Sequence, residues 1–444
     1  MTLAHNSNRS FSARVNKNYS PRPHAGQQAG GAQDVFSLEK PLRLGFVGIG
    51  DQGSWHLDIA LGIPGIEVPA LCDVDPHYLH RGKRWVEESG RPTPRLYDRG
   101  KTDFERLCAE EELDAVICAT SWEWHTPVLL AAMRNDKHGV SEVPLCQTVD
   151  EAWELVETFE KTGKYGTLGF KNVHNALTNM IYHGVFGDII HFESGYIHDL
   201  RLVKFDPERE PWRLQHSADR NGNLYPDHPT ARAIPLMDIN HGDRFEYLVS
   251  LSAGAQMLNA YAAHYFGGEH PFATREMKQG DYNATLLRTV NGKMYTLNFD
   301  TNTPHPRGIT RMQGSKGVVI SGSGIGQRIY LDGVSPEEHQ WEDAEPYYEK
   351  YEHPDRKQYI PPERDALRGH SGGSQTPYRW YRLIRALKDD LVTDFDVYDS
   401  VTSSVISPLT EQSVAQGGEP VEFPDFTKGR WKSRPTFEQQ YYKG

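Results

Sequence analysis

Short apolar runs alternate with helical patterns over the first third of the chain. The run LRLGFVGIG (42–50) ends in glycines and passes into the helical pattern SWHLDIAL. IEVPALCDVDP reads as a second strand and LDAVICAT (113–120) as a third, followed by the amphipathic segment TPVLLAAMRN. A fourth strand is expected in HGVSEVP, ending at Glu142-Val143-Pro144. Strands separated by helices are the rhythm of a doubly wound parallel sheet. This unit is expected over residues 39–160, after an N-terminal arm at 1–38. Between 190 and 320 the strand-like runs DIIHFESGYI, YNATLLRTV, KMYTLNF and KGVVISGSG point to a second α/β unit, expected over 161–444. TPYRWYRLIRALKDDL predicts an amphipathic helix, and PDFTKGRWK reads as a tail. No internal repeat is seen.

The first turn carries chemistry. Gly48-Ile49-Gly50-Asp51-Gln52-Gly53 is a G-x-G-x-x-G placed after a strand and opening a helix. In that setting Gly48 permits the tight turn, Gly50 lets the backbone approach a pyrophosphate, and Gly53 lets helix and strand pack closely. The pyrophosphate would rest on the helix N-terminus, where unpaired N–H groups favour an anion. Asp73 ends the second strand about 20 residues on, where an acid meets the ribose hydroxyls, so NAD is expected rather than NADP.

Composition narrows the class. The 444 residues are 37% hydrophobic and 24% charged, as in a soluble globular protein. A net charge of −12 disfavours nucleic acid and anionic membranes as partners. No apolar stretch is long enough to span a bilayer. Cys72, Cys108, Cys118 and Cys146 have no metal-type spacing and read as reduced thiols. Residues 1–36 are polar and basic, without the apolar core of an export signal, so a cytoplasmic protein is expected. Such a basic arm on an acidic body would suit a neighbouring subunit of a homo-oligomer. The 20 histidines include no HExxH or compact cluster, and no metal is expected.

On these residues the sequence resembles the Gfo/Idh/MocA family, in which an N-terminal Rossmann domain precedes a C-terminal α/β domain with an open, mostly antiparallel sheet that commonly forms the oligomer interface. That family typically carries Glu-Lys-Pro after the fourth strand. Here the motif is Glu142-Val143-Pro144, and a valine cannot move a proton. The second family motif reads Met237-Asp238-Ile239-Asn240-His241, with the histidine register disturbed. The stretches SWEWH (121–125), HDLR (198–201), NGNLYPDH (221–228), KQGD (278–281) and DVYD (396–399) resemble glycoside hydrolase family 109, NAD-dependent α-N-acetylgalactosaminidases. The resemblance implies an oxidative route. Hydride leaves C3 of the sugar for NAD, the C2 proton becomes acidic, the aglycone is eliminated, water adds and the hydride returns; NAD-dependent families stand outside the two-carboxylate scheme of other glycosidases.

In that frame His228 is the expected acid/base, since an unperturbed imidazole pKa lies near working pH. Tyr225, in the same YPDHP loop, shares the proton or holds a hydroxyl. His198 and Asp238 complete the expected catalytic set, and Trp124, His125 and Glu142 are nicotinamide-side contacts by resemblance. Two stretches depart from family 109. Phe170-Lys171-Asn172-Val173-His174 replaces a Glu-Asn-x-x-Tyr-Arg-Arg-like run, and His305-Pro306-Arg307 replaces an Arg-Pro-Tyr-like site. Arg307, with Lys171, His174, Asp199, Arg201 and His305, is expected to bind substrate. A planar guanidinium suits an anionic oxygen group, so an anionic sugar glycoside, specifically a sulfoquinovoside, is expected. Alternatives stay open: Arg307 as a salt-bridge partner, Asp199–Arg201 as a structural ion pair, an N-acetylgalactosaminide substrate, an ordinary sugar dehydrogenase, or a sensor.

Overall fold

A computed structural model describes residues 40–171, 175–207, 209–353, 376–388 and 393–437. His174 and the arm at 1–38 lie outside these residues.

The first sheet contains β1 (Leu42–Val47), β2 (Ile66–Cys72), β3 (Arg95–Tyr97), β4 (Ala115–Cys118), β5 (His138–Ser141) and β6 (Gly166–Thr167), in the order β3-β2-β1-β4-β5-β6. All its pairings are parallel. Between the strands run α1 (Asp51–Leu61), α2 (Pro76–Glu88), α3 (Phe104–Glu110), α4 (His125–Arg134) and α5 (Val149–Thr162). Helices on both faces explain why β1 and β4 are almost continuously apolar and buried. A capping box starts α5: the Thr148 hydroxyl accepts from the Glu151 N–H at 3.1 Å while the Glu151 carboxylate accepts from the Thr148 N–H at 3.1 Å. The sheet's last strand lies past residue 160, so the first unit extends beyond the expected boundary; β6 adds to the sheet what helix α5 brings back to it.

After α6 (Ala176–Tyr182) comes β7 (Ile189–Ile197), then α7 (Arg201–Phe205), α8 (Trp212–Asp219) and α9 (Asp227–Met237). The second sheet adds β8 (Phe245–Ser252), β9 (Asn283–Thr289), β10 (Met294–Asp300), β11 (Ile309–Gly314), β12 (Gly317–Gly322), β13 (Gly326–Leu331), β14 (Glu342–Asp343) and β15 (Val421–Glu422). Its order is β14-β13-β12-β11-β7-β10-β9-β8-β15. Only β7 and β10 pair in parallel, so the sheet is mixed but mostly antiparallel, as expected. Along β9 buried and exposed positions alternate strictly, the sign of a sheet covered on one face.

Two long-range contacts tie the units together. The expected amphipathic helix is present at Thr376–Lys388, and its Trp380, Leu383 and Ile384 enter the core of the first unit beside Leu44, Phe46 and Trp55. The segment after residue 423 is no tail: Phe426 is buried, with its ring 4.8 Å from that of Trp153. All four cysteines are buried free thiols. Among the described residues no helix is long and apolar enough to cross a membrane.

Candidate active site at the carboxyl edge of the first sheet

The glycine turn is built for a dinucleotide. Gly48 has φ +80°, and a Cβ there would lie 2.7 Å from the Ala119 carbonyl oxygen. At Gly53 a Cβ would meet the Gly48 carbonyl oxygen at 1.9 Å, so only glycine lets α1 pack on the turn. Gly50 differs: an added Cβ meets no protein atom within 4 Å, leaving a cradle at the N-cap of α1. Asp51 opens the helix, exposed. Asp73 accepts the Ile49 N–H at 2.6 Å and the Asp75 N–H at 2.9 Å, which fixes its carboxylate beside the turn. These residues fit NAD: an open backbone cradle for the pyrophosphate and a fixed carboxylate for the ribose.

Glu142 lies just past β5, on the same edge. His56 Nε2 is 2.7 Å from its Oε1, and Gln52 donates to that oxygen at 3.3 Å. Burial pushes the Glu142 carboxyl up, but the hydrogen bond from His56 and the charge of Lys171 outweigh it and hold the group well below the usual carboxylate range. Glu142 is therefore a fixed anion linked to the glycine turn.

Across the cleft stands α9. Tyr225 and His228 were expected in a loop; instead Asp227 begins the helix, and His228 lies in its first turn. Asp227 is fully buried and accepts hydrogen bonds from Ser403, at 2.9 Å, and Ser404. Within α9 only His228 and Arg232 are exposed. They are four residues apart and share a helix face, so the helix buries every side except the stripe that lines the cleft. His228 stacks on Tyr196 (5.5 Å, 17°) and meets Tyr225 edge-on at 5.1 Å. Its ring reaches water in the cleft but is surrounded by protein, and that surrounding, with the Lys171 and Arg379 charges, pushes its pKa well below the ordinary imidazole value. It is a neutral proton acceptor at neutral pH.

Behind these groups is a narrow aromatic recess of about 20 Å³, lined by Trp122, Tyr196, Lys204, Arg213, His216 and Tyr225. Trp122 stacks on Tyr225 at 5.2 Å and 18°. The Arg213 guanidinium lies over Trp122, Trp212 and Tyr225 at 4.7–5.1 Å and pairs with Glu210 at 2.6 Å. Lys204 Nζ donates to Asn302 at 2.6 Å, Thr301 at 2.8 Å and Gln279 at 3.3 Å. A larger open groove of about 400 Å³ lies by Arg43, Asp114 and Lys137, at the opposite edge of the first sheet from the glycine turn.

Several expected site residues are placed elsewhere. Asp238 caps the far end of α9 with φ 55°, roughly 15 Å of helix rise from His228, so it does not join the proton-carrying group. Trp124 packs edge-on against Phe104 at 6.1 Å, within the first unit; Trp122 takes the cleft position. His125 is 1% exposed, its Nδ1 2.6 Å from the Pro144 carbonyl and its Nε2 3.0 Å from that of Thr120. It braces the loops after β4 and β5 and has no open face for a nicotinamide. Arg201 grips Asp199 with two hydrogen bonds of 2.9 and 2.8 Å, so each group is already engaged by the other. Lys171 is near Glu142, Asp227 and Arg232 rather than Arg307. At the outer rim His198, pushed to about 4 by burial and by Arg307, hydrogen-bonds Tyr196 at 3.2 Å. Arg307 is exposed there and hydrogen-bonds Tyr196, and His305 Nε2 lies 3.6 Å from Asp300.

Sequence reasoning missed His56, Trp122 as a wall, Arg213, Lys204, Asp227 and Arg232. For His56 a signal existed: a histidine on the inward face of an apolar helical pattern needs a partner.

Comparison with known proteins agrees with this geometry. Residues 42–170 match the oxidoreductase family with an NAD-binding Rossmann fold, and residues 171–433 match the C-terminal domain of glycosyl hydrolase 109. A glycosyl hydrolase family 109 protein of Shewanella pealeana is 34% identical over 422 residues, covering 93% of this chain and 91% of that protein. One from Shewanella sp. strain W3-18-1 is 35% identical over 427 residues, covering 93% and 90%. Among solved structures, levoglucosan dehydrogenase in complex with NADH and levoglucosan superposes with a TM-score of 0.65 at 16% identity, covering 87% of this chain and 100% of that one. An inositol dehydrogenase homolog complexed with NAD+ from Azotobacter vinelandii gives 0.64 at 21% identity, covering 87% and 98%. The cofactor is NAD. The chain thus belongs to glycosyl hydrolase family 109, on the NAD-binding fold of the Gfo/Idh/MocA oxidoreductases.

Proposed function

We propose that this protein is an NAD-dependent glycoside hydrolase that oxidises its sugar transiently at C3, eliminates the aglycone, adds water and reduces the ring again, and that its sugar is anionic. The observation that supports it best is the exposed stripe of α9. A neutral histidine and an arginine open onto the same cleft as the Glu142 end of the nucleotide-binding sheet.

NAD, when bound, supplies a hydride acceptor and gives the hydride back. The chain's own groups do the rest. Glu142, clamped by His56 and Gln52, holds the cofactor-side edge of the cleft. His228, kept neutral, takes the C2 proton once the neighbouring carbon is a ketone, and returns a proton to the leaving oxygen. Tyr225 and Trp122 form a flat wall for the ring and exclude water from it.

The charge of the sugar is read from Arg232 and Arg307. Among the described residues neither has a carboxylate within ion-pair distance, and Arg307 bonds only the Tyr196 side chain. A guanidinium left without an anion at a cleft is poised for one in the ligand. A sulfoquinovoside fits this chemistry. To test it, 4-nitrophenyl sulfoquinovoside, 4-nitrophenyl α-N-acetylgalactosaminide and a 4-nitrophenyl uronide are assayed in parallel. Expected are nitrophenol release from the sulfonated sugar, no net NADH, and deuterium entering C2 from deuterated water. Steady NADH accumulation would make the protein a dehydrogenase instead; preference for the acetamido sugar would remove the anionic reading alone.

We also propose self-association through the open face of the second sheet, where Leu251, Leu286, Met294 and Ile309 are exposed. A monomer by light scattering would rule this out.

A further inference from the structure

We propose that Lys171 is the proton carrier for the oxidised carbon, taking the hydroxyl proton when that carbon gives up its hydride and returning it when the carbon is reduced. The inference rests on the hydride route proposed above.

Residue 143 cannot do this work, because it is a valine and is 3% exposed. Lys171 follows the adjoining strand, β6, and comes within electrostatic reach of Glu142, the neighbour of Val143. β5 and β6 run in parallel, with Gly139 opposite Gly166 and Val140 opposite Thr167. Three residues past β6, the Phe170 ring stacks on His56 at 4.1 Å and 21°. His56 is the residue that clamps Glu142. The stack anchors the chain so that the next residue, Lys171, falls within the electrostatic reach of Glu142 on one side and of Asp227 and His228 on the other.

Neither carboxylate captures it. Glu142 is bonded to His56 and Gln52, and Asp227 to Ser403 and Ser404. Among the described residues Lys171 makes no ion pair or hydrogen bond, and its side chain is part-exposed to the cleft. The charged groups around it are Glu142 and Asp227, which favour the ammonium, and Arg379 and Arg232, which oppose it. Burial opposes the ammonium more than either arginine does, and the balance brings Lys171 down to about 8. A lysine in that range has a sizeable neutral fraction near neutral pH, as a proton acceptor requires.

The step balances. The C–H bond breaks and its electron pair leaves as hydride to the bound dinucleotide. At the same carbon the O–H bond breaks, its pair closes the C=O bond, and the proton passes to the neutral Lys171 amine, giving the ammonium. Re-reduction runs this backwards, so the lysine ends each cycle as it began. His228 is thereby left for the proton on C2.

Single-turnover hydride transfer is measured with NAD-loaded protein and the two 4-nitrophenyl glycosides, sulfoquinovoside and α-N-acetylgalactosaminide. K171M is expected to lose at least about 100-fold. K171R should not recover it, since a guanidinium keeps its proton. Ethylamine should restore K171A in proportion to its concentration, which a structural defect would not allow. Independently, reductive 13C-methylation of the NAD-loaded wild type lets each lysine be titrated by NMR, with the Lys171 signal assigned by its absence in K171R. A midpoint near 8 is expected, against about 10.4 for surface lysines. Hydride transfer in K171M within threefold of wild type, or a Lys171 midpoint among the surface lysines, overturns the proposal. Hydride transfer without aglycone release in the wild type would instead defeat the glycosidase reading and leave Lys171 standing. Where neither sugar reacts, the titration decides.

Discussion

Trp380 and His56 are 324 residues apart in sequence, yet the indole N–H of Trp380 donates to His56 Nδ1 at 3.1 Å. An indole can only donate, so Nδ1 is the acceptor and the imidazole proton sits on Nε2, aimed at Glu142. A helix from late in the chain therefore sets the tautomer that orients the carboxylate at the cleft.

Trp380→Phe keeps an aromatic ring in the core but leaves Nδ1 buried without its donor. The expected cost is about 1–3 kcal/mol, together with weaker NAD binding as His56 loses its fixed orientation. Urea unfolding and a calorimetric NAD titration measure the two effects. Unchanged NAD affinity would show that Glu142 does not depend on this bond.

Gly50 and Gly53 should respond to alanine in different ways. At Gly53 the new methyl would sit 1.9 Å from a carbonyl oxygen, so α1 must move and the fold is expected to suffer by several kcal/mol. At Gly50 nothing obstructs the methyl, but φ −65° with ψ −146° lies outside the regions open to a residue with a Cβ. Gly50→Ala should fold at a cost of about 1–3 kcal/mol in backbone strain, while NAD affinity falls tenfold or more. Thermal melts with and without NAD separate the cases. A Gly50→Ala protein that binds NAD normally would remove the cradle from this turn.

Arg307 and Arg232 should matter in proportion to substrate charge. Replacing either by Gln is expected to raise KM for the sulfonated glycoside about tenfold or more, with little change for the acetamido sugar, because a lost charge-assisted hydrogen bond is worth roughly 1.5–3 kcal/mol. Equal effects on both sugars would mean the arginines serve the fold or the common part of the ring.

His125 gives a pH signature. Burial holds its pKa below the ordinary 6.5 despite two facing carbonyls. Below about 6.5 the unfolded chain takes up a proton that the native state refuses, so stability present above that pH is lost as the pH falls towards the folded value. The limiting slope for one proton is about 1.4 kcal/mol per pH unit. Between pH 6.5 and 5 wild type should lose stability more steeply than His125→Gln. Parallel curves would show that His125 is protonated in the native state.

The dinucleotide turn was legible because its chemistry is local: strand, three glycines and helix lie within residues 42–61, and Asp73 follows at the end of the next strand. Tyr225 and His228 were expected together in one loop, but the helix that begins between them was not legible. Two prolines suggested a stiff loop, whereas Pro229 falls in the first turn of α9, where a missing N–H is tolerated. Asp238 was misplaced for a related reason. An apolar neighbourhood in sequence says that a residue is near the core, not which end of a helix it occupies. Trp380 and Lys171 were hardest to read. Their partners come from other strands and helices, and a sequence carries no mark of the register that brings β6 beside β5.

The packing of Trp380, Leu383 and Ile384 into the first unit has a temporal consequence. During synthesis an N-terminal domain ordinarily matures while the rest of the chain is still being made. Here the socket for those three side chains stays open until the ribosome has produced most of the polypeptide, so the nucleotide-binding half must wait, incomplete and sticky, for a plug encoded near the other end of the message.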